Sequence, residues 1–192
     1  MGFISGLQEY LDQNYTVSVF DEVCKSKQPW EFHLHGHLVI RAKIFKNMVY
    51  DLKVESLDTA ETVLSKTDVK ILYPLDISEK IRSLLKKDPK VSKLSVEPII
   101  VPGLRYHIKN KSLFPLMKER RVVFFTLLEG EIIKGLITGF SRYEIECSLK
   151  GGLPVTILRH AVYDLRDKKG RSFLKSSQEK RRDWKKSPLY VP

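Results

Sequence analysis

The sequence predicts a mainly β protein with two small, strongly bent, five-stranded antiparallel sheets in tandem, each preceded by a short helix. Residues 121–165 contain five short stretches that are β-branched and aromatic, or that alternate between apolar and polar side chains. Residues 30–73 contain a second set of five such stretches, which indicates an internal repeat. The chain is therefore expected to carry two lobes of similar design.

The strands of the second lobe are predicted at residues 122–128, 131–140, 143–149, 155–158 and 162–165. Glu129-Gly130 and Gly151-Gly152 separate them with residues that tolerate a positive φ. Gly135 and Gly139 lie inside a predicted strand, where a glycine marks a bend or the close approach of another backbone. These features are typical of a small barrel of the SH3-like or OB-like kind.

The strands of the first lobe are predicted at residues 31–35, 38–44, 50–54, 61–64 and 69–73. The two sets align without a gap when Phe45 is laid on Phe140, which makes Met48 the expected counterpart of Tyr143. Further on, Lys66-Thr67-Asp68 stands where the second lobe has Arg159-His160-Ala161.

Helices are predicted at residues 6–13, where Leu7, Tyr10 and Leu11 share one face, and after Asp76, where an apolar stripe ends at Asp88-Pro89. Residues 89–111, called the strap below, have the pattern of a small hairpin or an extended connection. The predicted organisation is thus a first lobe at 1–76, a connecting helix and strap at 77–111, a second lobe at 112–167 and a tail at 168–192.

The charge of the chain favours an anionic partner. The formal net charge is +11, divided as −3 over residues 1–76, +7 over 77–167 and +7 over 168–192. A basic second half is typical of nucleic-acid binding, and the aperiodic basic tail is predicted to be disordered. No apolar run reaches the length of a membrane span and the N-terminus lacks the features of a signal peptide, so a cytoplasmic protein without a membrane partner is expected.

Four motifs follow one another in residues 116–165. They are the basic helix end Met117-Lys118-Glu119-Arg120, a glycine-punctuated hairpin, the loop Gly139-Phe140-Ser141-Arg142-Tyr143, and Arg159-His160-Ala161 before the last strand. In this order they resemble the Hfq branch of the Sm-like RNA-binding proteins, which have an SH3-type barrel. The resemblance implies a six-membered ring whose central pore holds uridine-rich single-stranded RNA.

The resemblance also implies the site residues. Thr126 stands where the family has the purine-stacking tyrosine of the opposite ring face, so the uridine-binding face is favoured. Weaker candidates in the first lobe are Gln8 and Lys66. The expected RNA-binding residues are the stacking Tyr143, its supporting Phe140, the pore residues Arg159 and His160, and the basic residues Arg142, Lys118 and Arg120.

The sequence gives little support for a metal site or for an enzymatic activity. His33, His35 and His37 alternate on one strand and could converge, but the sequence shows no cysteine or acidic cluster with ligand spacing beside them. Paired carboxylates in a recognisable catalytic setting are also lacking, and Cys24 and Cys147 are expected to be reduced. Neither a metal, a cofactor nor an enzymatic activity is expected.

The predicted function is that of an Hfq-like RNA chaperone, which holds two RNAs close enough to pair in post-transcriptional regulation. With two lobes in each chain, three chains would form a pseudo-six-fold ring. The alternative is a structural module of SH3-like barrels that binds protein partners through edge strands, with its basic tail docked on a ribosome or another anionic surface.

Overall fold

A computed structural model gives the structure of residues 4–57, 61–99, 101–106 and 108–174, which is mainly β and antiparallel. The helices are α1 Leu7–Asn14, α2 Val19–Ser26, α3 Ser78–Leu84, α4 Pro89–Ser92 and α5 Asn110–Lys118. The first strands are β1 Trp30–Leu34, β2 Val39–Asn47, β3 Asp51–Ser56, β4 Glu61–Ser65 and β5 Val69–Pro74. The others are β6 Lys86–Lys87, β7 Val122–Leu127, β8 Glu131–Phe140, β9 Glu144–Ser148, β10 Pro154–Leu158 and β11 Val162–Asp167.

The expectation of two separate sheets is wrong, because all eleven strands belong to one continuous sheet. Its order is β11-β7-β8-β9-β10-β5-β1-β2-β3-β4, with the short β6 paired to β8. The first half (β1–β5 with α2) and the second half (β7–β11 with α5) have the same internal order, in which the last strand lies beside the first. Antiparallel pairing of β10 with β5 joins the two halves, with Ile157 opposite Ile71.

Paired strands show that the repeat has a spacing of 93 residues, and the predicted alignment of Phe45 with Phe140 is wrong by two. Leu52 pairs with Leu64 in the first half as Ile145 pairs with Ile157 in the second. Each half also has a bulge, between Ile44 and Lys46 in β2 and between Ile137 and Gly139 in β8. A slip of two residues keeps every side chain on its own face of the strand, so the apolar pattern could not reveal it.

Each half has its own apolar core. The second-half core is formed by β7–β11, α5 and α1, and the first-half core by β1–β5 and α2. Leu7 of α1 therefore packs with the second half. Helix α2, which was not predicted, covers the first half. Within the second half the predicted close approach at Gly135 is present, because a Cβ there would lie 2.8 Å from the carbonyl oxygen of Ser148.

The two cores meet at β5, whose side chains are buried on both faces of the sheet. Ile71 and Tyr73 enter the second-half core, whereas Val69 and Leu72 enter the first. Lys70 is only 1% exposed and forms ion pairs with Glu129 and Glu131 of the second half. A buried ammonium is tolerated only when opposite charges compensate its lost hydration.

The strap runs beside the second half without forming a strand in its described part. Pro102–Leu104 forms a 3-10 turn, and Tyr106 packs edge-on against Tyr163 of β11 at a centroid distance of 5.4 Å. The predicted connecting helix is shorter than expected, since α3 ends at Leu84 and β6 and α4 follow. None of the helices in the described ranges is long and apolar enough to span a bilayer.

The chain continues to pack beyond β11. Ser172 bridges to Arg166, and Leu174 is 1% exposed in the second-half core. Most of the predicted basic tail, residues 175–192, lies outside the described residues.

Candidate nucleic-acid site

A cleft of about 380 Å³ lies between the strap and the loop that follows β8. It brings together four of the predicted RNA-binding residues, from two places in the sequence. Among the described residues that line it, four carry a guanidinium or ammonium group and none carries a carboxylate. The lining residues are Tyr15, Pro102, Arg105, Tyr106, Ile108, Lys109, Asn110, Arg142, Tyr143, Arg159 and His160.

Tyr143 presents its ring to this cleft and is 57% exposed. The guanidinium of Arg142 lies 5.2 Å from the ring centroid, and the Arg142 amide donates to the Tyr15 carbonyl oxygen at 2.9 Å. Below the loop, the Ser141 hydroxyl donates to the buried Glu144 carboxylate at 2.8 Å. The exposed tyrosine is thus held on an anchored turn, which reduces the entropy lost when a planar ligand stacks on it.

Phe140, predicted to support the stacking ring, lies below the loop, where it is 2% exposed in the core. The Tyr10 ring lies 4.7 Å from it, and the Tyr10 hydroxyl both donates to the Phe140 carbonyl oxygen and accepts from its amide. Phe140 shapes the site from beneath, since so buried a ring offers no face to a ligand.

Arg159 is partly buried and contacts other residues of the chain, unlike a freely exposed pore cation. Its Nη1 donates to Asn110 Oδ1 at 2.9 Å, and its guanidinium lies 5.4 Å from the centroid of the Phe140 ring. Burial lowers its pKa to about 10, so the group stays charged at neutral pH. Nε and Nη2 are buried and have no hydrogen-bond partner among the described residues, so Arg159 keeps unsatisfied donors behind the cleft surface.

His160 lies at the back of the cleft and is neutral at physiological pH. Burial lowers its pKa to about 4, and the nearby positive charge of Arg105 acts in the same direction. Its ring lies 6.1 Å from that of His35, and Nε2 has no hydrogen-bond partner in the described chain. A neutral imidazole contributes a hydrogen bond to a base or a hydroxyl rather than an ion pair to a phosphate.

The other predicted residues lie outside this cleft. Lys118 and Arg120 are exposed near the end of α5, where the Lys118 ammonium lies over the Phe114 ring. Gln8 is exposed on α1 and donates to Asp12 Oδ1 at 2.8 Å. Thr126, the position of the missing purine-stacking ring, is buried in β7.

The corrected repeat reveals a first-half counterpart that sequence reasoning missed. With a spacing of 93 residues Tyr143 corresponds to Tyr50, which is 79% exposed, and not to Met48. The Lys66 amide donates to the Tyr50 carbonyl oxygen at 2.9 Å, as the Arg159 amide does to that of Tyr143 at 2.8 Å. The signal was present in the sequence, because Lys66 and Arg159 are themselves 93 residues apart.

Lys66 turns its ammonium group inward, towards its own half of the chain. Nζ donates to the carbonyl oxygens of Met48 and Val49, and burial lowers its pKa. The first half therefore holds a tyrosine and a cation in the same backbone positions as the second, without the strap beside them.

His35 and His37 lie in the turn between β1 and β2 and both contact Glu129, whereas His33, which was expected to share their face of a strand, contacts Glu31 and Tyr73 instead. His37 Nδ1 lies 3.1 Å from Glu129 Oε2 and 4.0 Å from Glu131 Oε1, a set close enough to hold a metal ion. The Lys70 ammonium already bridges both carboxylates, and the amides of Gly36 and His37 donate to Glu129. The Lys70 ammonium therefore offsets part of the acidic charge, and the cluster ties the two halves together.

No protein-family model, curated protein or solved structure matches this chain. The functional interpretation therefore depends on the geometry of the cleft and of the sheet. That geometry consists of an anchored, exposed tyrosine in a cleft lined by cations, on one half of a continuous sheet whose two halves pair through β10 and β5.

Proposed function

We propose that the protein binds uridine-rich single-stranded RNA at the Tyr143 cleft and acts as an Hfq-like RNA chaperone in the cytoplasm, without a covalent step. The observation that carries the proposal is the combination of an exposed aromatic ring with four cationic side chains and no carboxylate in the described lining. Stacking is worth about 1–3 kcal/mol per base, and neutralised phosphates release counterions. Together these interactions bind an unpaired strand, and Thr126, which offers no ring for a purine to stack on, favours uridine over adenine.

The proposed mechanism is to bring two RNAs together. Basic groups of the second half collect RNA from solution, while Tyr143 and its ring-related copies hold bases unpaired and accessible. Two strands held on one assembly meet at a raised effective concentration, which accelerates their pairing.

The assembly that we propose is a ring of three chains, each of which supplies two Sm-like barrels. Support comes from the sheet, whose terminal strands β4 and β11 each lack a partner on one side in the described chain. By the 93-residue repeat, β4 and β11 correspond to β10 and β5, the two strands that already join the halves. Pairing β4 of one chain with β11 of the next would repeat that joint and leave no edge exposed.

The function is tested by measuring the affinities of oligo-U and oligo-A for the wild-type protein and for Tyr143→Ala at one salt concentration. We expect oligo-U to bind more tightly and Tyr143→Ala to lose about 1–3 kcal/mol per stacked base. Met48→Ala, at a partly exposed residue of the corresponding first-half loop, is the control. If a folded Tyr143→Ala variant keeps full affinity, the alternative function is favoured, in which the protein is a structural module that binds partners through edge strands.

A further inference from the structure

The strap gives the second half a feature for which the first half has no counterpart. In the first half three residues, 27–29, separate α2 from β1, and only residues 15–18 lie between α1 and α2, so no segment comparable to the strap precedes α2. In the second half the strap passes along the cleft and contributes Arg105, Tyr106 and Lys109 to its lining. Tyr143 therefore faces a second wall, whereas Tyr50 lies on an open surface with 79% of its area exposed.

We propose that this strap is the phosphate-binding wall of the site, in which Arg105 and Lys109 hold the phosphate of the nucleotide whose base stacks on Tyr143. The inference rests on the proposed function and adds the chemical identity of the second wall. It assigns an RNA-binding role to a segment that lies outside both barrels.

The volume and chemistry of the cleft support a single nucleotide. Its volume of about 380 Å³ is near the lower end of the roughly 300–1,000 Å³ typical of small-molecule sites. Tyr143 offers the stacking face on one side, and the strap offers two cations on the other. An aromatic ring and a pair of cations in one cleft provide a contact for the base and a contact for the phosphate of one nucleotide.

The strap is anchored well enough to act as a wall. Ile108 is 5% exposed in the second-half core, and Arg159 Nη1 donates to Asn110 at the start of α5. Tyr106 packs on Tyr163, and Arg105 Nε donates to the Ile99 carbonyl oxygen at 2.8 Å. The segment between the two cations is thus packed on the second half, and Lys109 is followed directly by a residue hydrogen-bonded to Arg159.

The test compares the binding of a fluorescent U6 oligonucleotide by the full chain and its variants at several salt concentrations. Lys109→Ala is the main variant because Lys109 is exposed, and Lys111→Ala, an exposed lysine two residues further on that does not line the cleft, is its matched control. We expect Lys109→Ala to weaken binding about 5- to 10-fold and to reduce the salt slope by about 0.7, the value for one phosphate on a single strand. Arg105→Ala should behave similarly if its melting temperature is unchanged.

Double variants identify the nucleotide that the strap contacts. Because Tyr143 and Lys109 would hold the same nucleotide, the double variant should lose less affinity than the product of the two single fold-losses. The fold-losses of Tyr50→Ala and Lys109→Ala, by contrast, should multiply. If Lys109→Ala matches Lys111→Ala while Tyr143→Ala still weakens binding, the strap inference is overturned and the proposed function survives. If wild-type protein does not bind U6, both are overturned.

Discussion

Tyr50 and Tyr143 occupy the same place in the two halves, although neither the composition nor the apolar pattern of their neighbourhoods makes them look alike. We predict that Tyr50→Ala weakens oligo-U binding by about 1–3 kcal/mol per stacked base, because an exposed ring on a hydrogen-bonded turn is lost. The affinity is measured by titration against the same oligonucleotide used for Tyr143→Ala. A loss no greater than that of Met48→Ala would confine RNA binding to the second half.

His160 should make the stability of the protein depend on pH. Its pKa is about 4 in the folded chain, where burial and the charges of Arg105 and His35 disfavour the imidazolium, and about 6.5 when unfolded. Between these values only the unfolded state binds the proton, so this contribution is complete above about pH 6.5 and is lost as the pH falls towards 4. We expect about 2 kcal/mol of it to disappear between pH 6.5 and pH 5.

Urea unfolding of the wild-type protein and of His160→Gln at several pH values checks this expectation. The variant should show a shallower fall in unfolding free energy over the same range. Some dependence will remain, because burial also lowers the pKa values of His33 and His35. Parallel curves for the two proteins would contradict the assignment.

At the scale of elements, the joint between β5 and β10 depends on Lys70. We predict that Lys70→Ala lowers the free energy of unfolding by about 3–5 kcal/mol, since Glu129 and Glu131 would remain close together without their shared counter-charge. Lys46→Ala, an exposed lysine on β2, is the control and should change stability by less than about 0.5 kcal/mol. Equal unfolding curves for the two variants would mean that the ion pairs do not hold the joint.

The sequence was most informative about elements with strong short-range patterns. The ten strands of the two halves were all predicted near their observed positions, because their residues alternate or are β-branched between glycine-rich turns. Helix α2 was missed since its pattern is short, and β6 since two exposed lysines have no periodicity. The repeat spacing was wrong by two because that slip preserves the face of every residue.

The candidate site was only partly predictable for a related reason. Motifs identify residues such as Tyr143 and Arg159 that lie close to a recognisable loop or strand end. Arg105 and Lys109 reach the same cleft through a segment without regular structure, and no local pattern encodes where such a segment packs. The sequence also did not predict that the two halves form one sheet, because the pairing of β5 with β10 depends on residues about 85 positions apart.

At the scale of the whole molecule, the internal joint specifies how one chain would pair with the next. Thr156 lies opposite Leu72 inside the chain, so a spacing of 93 residues places Val63 of one chain opposite Leu165 of another. Continuing this register brings Thr62 beside Arg166. We predict that Thr62→Cys with Arg166→Cys, in a Cys24→Ser background, forms disulfides between chains and traps covalent trimers.

Non-reducing electrophoresis after mild oxidation, together with light scattering of the untreated protein, tests the ring. The control replaces Thr62→Cys by Lys53→Cys, one strand further from the edge, and should give little cross-linking. A stable monomer in light scattering at micromolar concentration would exclude the closed ring. A hexamer of chains would mean that the second half alone forms the ring.

The burial of β5 on both faces also bears on how this chain can change over evolutionary time. An ordinary half-exposed strand such as β4 alternates between positions that accept many residues and positions that accept few. From Val69 to Tyr73 every position is buried and each faces one of two cores or an ion pair. Homologues of this chain should therefore keep an unbroken block of five buried residues there, even where the exposed loops that carry Tyr50 and Tyr143 differ.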